Sequence, residues 1–115
     1  MFGHKPVPTE TPEEISVALM KGEVIIIDVR EVTEWTHERI EGASLVPLSR
    51  FDAHHMPHPQ GRDIVIVSEK GGKRGAAAFE KAVHAGMHPR AQIAGGMVAW
   101  KAAGLPVTSG TGVTL

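Results

Sequence analysis

Residues 64–79 read IVIVSEKGGKRGAAAF, and within eight residues the centre of this stretch gathers a serine, a glutamate, two lysines, an arginine and three glycines. Four β-branched residues run into a polar turn, and an alanine-rich segment follows. Gly71, Gly72 and Gly75 can take dihedral angles that other residues avoid, which lets backbone N–H groups turn inward. A helix starting just behind the turn adds its own unpaired N–H groups and the positive end of its dipole. Lys70, Lys73 and Arg74 add full positive charges. The chemistry implied is capture of a small oxyanion, thiosulfate, sulfate or phosphate, by a loop made of Glu69, Lys70, Gly71, Gly72, Lys73, Arg74 and Gly75.

What such a loop could do to its guest depends on a nucleophile. The first polar residue after the apolar run is Ser68, and the 115-residue chain contains no cysteine. Disulfides, thiolate metal sites and thiol chemistry are therefore excluded for this chain. A serine hydroxyl starts far less acidic than a thiol and gains little from the same electropositive surroundings. No His-plus-carboxylate pair lies near Ser68 in sequence to suggest a hydrolase. Neither G-x-x-x-x-G-K-[ST] nor G-x-G-x-x-G occurs between Ser68 and Gly75, so nucleotide binding is not supported. His54, His55 and His58 lie in a proline-broken loop without i, i+4 spacing and read as solvated side chains. No metal and no cofactor is implied.

The elements that must position this loop alternate between two periods. Thr11-Pro12-Glu13-Glu14 is a capping box with proline at the first helical position; a helix over residues 15–21 follows, and Gly22 supplies its stop. Residues 24–28, VIIID, and 64–67, IVIV, are unbroken apolar runs, the pattern of strands buried on both faces of a parallel sheet. Residues 30–40 carry a short helical pattern, and 43–46 a third apolar piece. A helix is expected from residue 72 or 73 to 85, a short strand at 91–93 and a helix over 95–103. Strands alternating with helices predict an α/β fold of three layers: a mostly parallel sheet of about five strands with helices on both faces. Residues 1–10 read as an irregular lead-in, 11–107 as the domain and 108–115 as a loose tail.

Composition narrows the partners. A net charge of -1 lacks the basic footprint that nucleic-acid binding needs. No window reaches the roughly 18 apolar residues of a membrane helix, and the opening MFGHKPVPTE lacks the apolar core of a signal peptide. A cytoplasmic protein with no membrane and no nucleic-acid partner is expected. Asp28, Arg30 and Glu34 follow a strand's end, where Asp28 would satisfy turn N–H groups and Arg30 would pair with a carboxylate such as Glu34. Trp35 and Trp100 are expected to pack, and Met20, Met87 and Met97 to fill gaps on helices.

Three stretches, in this order, resemble the rhodanese-like family. The first is Ile27-Asp28-Val29-Arg30 with Glu34-Trp35, followed by Ile40-Glu41-Gly42-Ala43 and Val46-Pro47-Leu48. The second is the loop with its strand, and the third is Gly95-Gly96-Met97-Val98-Ala99-Trp100 running to Gly104-Leu105-Pro106-Val107. The resemblance implies a thiosulfate or persulfide sulfurtransferase, whose Cys-x-x-Gly-x-Arg loop carries sulfane sulfur as a persulfide and offers it to an acceptor or partner protein. Counted from the strand, Ser68 takes the cysteine's place, with five residues between it and Arg74. Counted back from Lys73-Arg74-Gly75, Glu69 takes it. The strand count favours Ser68, with Arg74 completing the catalytic pair. Either way sulfur transfer is lost as the chain is written, by natural loss or as a Cys-to-Ser variant. The alternative is a non-catalytic anion- or partner-binding module, and the longer spacing also resembles the Cys-x5-Arg loop of phosphatases built on this fold.

Overall fold

Two runs of β-branched residues form the middle of the sheet. They pair in parallel from Val24 opposite Asp63 to Asp28 opposite Val67. Neither run alternates polar with apolar because both faces are covered. Val24, Ile26, Val65 and Val67 belong to one apolar cluster; Ile27, Ile64 and Ile66 belong to another.

The computed structural model describes residues 6–110. In chain order the elements are β1 (Thr9–Glu10), α1 (Pro12–Met20), β2 (Val24–Asp28), α2 (Val32–His37), β3 (Glu38–Arg39), β4 (Ser44–Leu45), β5 (Asp63–Val67), α3 (Gly72–His84), β6 (Ala91–Ile93), α4 (Gly96–Ala102) and β7 (Thr108–Ser109). Single 3-10 turns lie at Leu48–Arg50 and Ala53–His55. The five-stranded sheet has the order β1-β6-β5-β2-β4 with every neighbouring pair parallel. On one face Ile15 and Ala18 of α1 and Met97 and Trp100 of α4 pack over the strands; on the other, Ala78 and Phe79 of α3 do so. This is the expected three-layer arrangement. Among the described residues no helix is long and apolar enough to cross a membrane.

Local signals act as read where side chains decide. The Thr11 N–H donates to Glu14 Oε1 at 2.9 Å and the Glu14 N–H to Thr11 Oγ1 at 3.1 Å, closing the capping box of α1. Trp100 is buried and its indole N–H donates to the Pro106 carbonyl at 2.9 Å.

Four expectations are corrected. The lead-in is not irregular to its end, because Thr9 and Glu10 pair with Gln92 and Ile93 as an edge strand. The tail is not loose at its start: Thr108 and Ser109 run antiparallel to Arg39 and Glu38. The helical pattern of 30–40 yields only α2, since the chain turns into β3 at Glu38 to meet that tail. Met20 fills no gap; it ends α1 facing solvent, 85% exposed. Residues 1–5 and 111–115 of the expected lead-in and tail lie outside the described residues.

Candidate functional site

Parallel strands deliver their functional groups at their carboxyl ends. Asp28 at the end of β2 and Ser68 just past β5 meet there because their strands run in register. Arg30 then lies beside Asp28, and both are almost fully buried. Asp28 Oδ1 accepts from the Arg30 backbone N–H at 3.0 Å and from Nε at 3.0 Å, while Oδ2 accepts from Nη2 at 2.9 Å. Nη2 also donates to the Glu38 carbonyl at 2.6 Å and Nη1 to Glu69 Oε1 at 3.1 Å. A buried ion pair holds only when its donors find acceptors, and each nitrogen of this guanidinium has at least one. Burial works against the charge on Arg30, but the bonds and charge of Asp28, then Glu69, outweigh it and raise its pKa. Asp28 therefore satisfies the turn as expected. The partner expected for Arg30, Glu34, is corrected to Asp28, two residues back at the end of β2.

Glu34 is on α2 and takes Arg74 instead, with Nη2 at 2.9 Å from Oε2 and 3.1 Å from Oε1. The Glu31 N–H donates to the same carboxylate at 3.0 Å. Burial opposes the charge on Glu34, yet Arg74 and the Glu31 N–H overcome that and hold the carboxyl below the ordinary glutamate range.

The loop itself is built from two sides. Ser68 is 1% exposed, and its hydroxyl donates to the Gly71 carbonyl at 3.1 Å. Gly75 packs tightly against it: a Cβ there would lie 2.0 Å from Gln92 Oε1, forcing that side chain to shift, and 3.1 Å from Ser68 Oγ. From below, the N–H groups of Met97 and Val98 donate to the Ser68 and Glu69 carbonyls at 2.9 and 3.0 Å. The N–H groups of Glu69, Lys70 and Gly71 carry no bond to a protein acceptor among the described residues. Gly71, with φ 73° and ψ -134°, is in a region open to glycine alone, and α3 starts at Gly72. Lys70 and Lys73 are exposed.

Glu34, Glu69, Lys70, Gly71 and Arg74 line a cleft of about 330 Å³ over the loop. A second cleft of about 330 Å³ adjoins it, bounded by Arg30, Thr33, Glu34, His37, Glu38 and Glu69. Of the residues singled out for the loop and its support, Glu34, Glu69, Lys70, Gly71 and Arg74 line the first cleft and Arg30 the second, whereas Gly72, Lys73 and Gly75 line neither. Ser68 lies beneath the cleft rather than on its wall. Sequence reasoning missed Gln92, whose Oε1 is buried without a partner among the described residues. A lone amide within an apolar strand was the available signal. His54 and His55 are 94% and 75% exposed around Asp52 and away from the loop.

A five-stranded parallel sheet flanked by helices, with a glycine-rich loop at its carboxyl end, defines an α/β domain of three layers. The profile of the rhodanese-like domain matches residues 11–103, and the chain belongs to that family. It is 33% identical over 98 residues to an uncharacterised protein of Synechocystis sp., covering 85% of this chain and 54% of that one. It is 36% identical over 95 residues to the probable adenylyltransferase/sulfurtransferase MoeZ of Mycobacterium tuberculosis, covering 80% of this chain and 24% of that one. The chain therefore spans about half the length of one curated relative and a quarter of the other. Among solved structures, the thiosulfate sulfurtransferase of Pseudomonas aeruginosa superposes with a TM-score of 0.74 at 25% identity, over 91% of this chain and 21% of that one. The domain is thus related to sulfurtransferases.

Proposed function

We propose that this chain is a rhodanese-like domain that does not transfer sulfur and keeps its loop as a recognition site for a small oxyanion, or for an anionic group on a partner protein. One observation carries the reading: the chain holds no cysteine, yet the loop stays open under a cleft, with three backbone amides free of protein acceptors among the described residues. The electropositive loop suits an anion, and oxygen cannot form the S–S linkage that transfer requires. The hydroxyl of Ser68 is also taken up by Gly71.

The test is a thiosulfate:cyanide assay together with a sulfate titration. The chain as written is expected to produce no thiocyanate, and a single cysteine at the head of the loop, Ser68→Cys or Glu69→Cys, to produce it. Sulfate is expected to bind with a Kd on the order of millimolar, and Arg74→Ala to abolish that binding, because it removes a cation and leaves Glu34 uncompensated. Thiocyanate from the unaltered chain, or an unchanged titration in Arg74→Ala, counts against the reading. Hydrolysis of an aryl phosphate by Ser68→Cys would favour the phosphatase reading that the five-residue spacing to Arg74 suggests.

A further inference from the structure

The geometry points to Glu69, not Ser68, as the position from which a reactive group would face the cleft, with the Glu69 carboxylate standing there as a resident anion. The inference rests on the reading of the loop as an anion site. Successive residues leaving a strand point to opposite sides. Ser68 continues the side of Ile64 and Ile66, toward the cluster under α3, and ends against Gly75 and Gln92. With the missing Cβ of Gly75 placed 3.1 Å from its oxygen and its proton on Gly71, nothing at position 68 meets the cleft. Glu69 faces the other way. Its side chain is 31% exposed, and it lines both clefts over the loop.

Spacing agrees. From Glu69 the sequence runs Glu69-Lys70-Gly71-Gly72-Lys73-Arg74, which places Gly72 and Arg74 as x-x-Gly-x-Arg with nothing inserted. Starting at Ser68 needs one extra residue.

Charge explains what the residue now does. The guanidiniums of the two adjoining clefts are neutralised from within: Asp28 grips Arg30 along the Nε edge and Glu34 grips Arg74. Glu69 is the loosest of the three carboxylates, held by a single side-chain bond of 3.1 Å from Arg30 Nη1. An incoming oxyanion meets that negative charge first, and Glu69 is the group it must displace.

Two single-cysteine variants test the position cleanly, since the chain has no other thiol. In the assay reaction the thiolate attacks the outer sulfur of thiosulfate, the S–S bond breaks and sulfite leaves, and a cysteine persulfide forms. Cyanide then takes the outer sulfur as thiocyanate and returns the thiolate. Glu69→Cys is expected to exceed Ser68→Cys in thiocyanate by at least about tenfold, a difference of about 1.4 kcal/mol in barrier. Iodoacetamide should alkylate the Glu69→Cys thiol readily, with a titration below the ordinary cysteine value of about 8.5, and the Ser68→Cys thiol only after denaturant is added. Glu69→Gln should bind sulfate several-fold more tightly than the parent chain.

Transfer restored by Ser68→Cys while Glu69→Cys stays silent would overturn the inference and leave the reading of the domain intact. Silence in both variants, with folding confirmed by thermal unfolding, would overturn the inference alone, since the reading of the loop as an anion site falls only with the sulfate titration. Sulfate affinity unchanged or weakened in Glu69→Gln would refute the resident anion even should the cysteine variants misfold.

Discussion

Two glycine pairs stand at the same end of the sheet, alike in φ but not in ψ, which is -134° at Gly71 and 0° at Gly95. Gly71 and Gly72 have φ of 73° and 60°, and Gly95 and Gly96 have 72° and 60°. Each pair follows a parallel strand and starts a helix. The second pair is closed: a Cβ on Gly96 would lie 2.3 Å from the Ser68 carbonyl oxygen, and the first amides of α4 donate to the Ser68 and Glu69 carbonyls. The first pair is open at Gly72, where an added Cβ would meet nothing within 4 Å, and the amides of Glu69, Lys70 and Gly71 lack protein acceptors among the described residues. A glycine pair permits positive φ without fixing ψ. Whether it becomes a brace or an open loop follows from the ψ it adopts and from which carbonyls reach its amides.

The sharpest way to break this comparison is to add a methyl group to each pair. Gly96→Ala combines a backbone clash with left-handed strain and is expected to cost about 3 to 5 kcal/mol. Gly72→Ala carries only the strain, about 1 to 2 kcal/mol. Urea denaturation of the two variants measures the gap, and equal losses would end the distinction between brace and open loop. A smaller effect is expected beneath the loop. Gly75→Ala forces a Cβ to within 2.0 Å of Gln92 Oε1 and should cost about 1 to 3 kcal/mol. Adding Gln92→Ala to it should recover part of that loss, a coupling of at least about 0.5 kcal/mol in a double-mutant cycle. Strict additivity would mean that Gln92 does not fill the space under Gly75.

Much of this architecture was legible, and the boundary of legibility is physical. The runs VIIID and IVIV could be read because strands buried on both faces leave no polar positions. The helix starts could be read because capping boxes and glycines act within four residues of chain. The two-residue strands Thr9–Glu10 and Thr108–Ser109 could not, because their pairing is made by backbone groups of distant segments. Nothing in the side chain of Thr9 announces that Gln92 will lie opposite it. The same limit applies at the site. Its members were legible from type and spacing, but the partners of Arg30 and Arg74 were not. Glu34 reaches across 40 positions to Arg74, and Arg30 reaches across 39 to Glu69. The exchange of partners between two arginines and three carboxylates is a property of strand register, not of local sequence. Whether Ser68 or Glu69 meets the cleft is likewise a question of side, which a one-residue shift reverses.

The smallest effect concerns how the open loop is held. The closed pair is braced by backbone bonds, whereas the start of α3 is tied to α2 by the side chains of Arg74 and Glu34. Both are about one-third exposed, at 37% and 30%, so solvent screening limits the pair to at most about 1 kcal/mol. Glu34→Gln is therefore expected to lower stability by up to that amount at neutral pH. The sign with pH follows from the lowered carboxyl. A group whose folded pKa lies below its unfolded one stabilises fully above the unfolded value and loses that contribution as pH falls through the folded one. The parent chain should thus lose its advantage over Glu34→Gln as pH drops below the ordinary glutamate range, where its own carboxyl becomes neutral. Urea midpoints of the two proteins across that range measure the convergence. A gap that stays constant with pH would show that the loop is held by the shape of the Glu34 side chain and not by its charge.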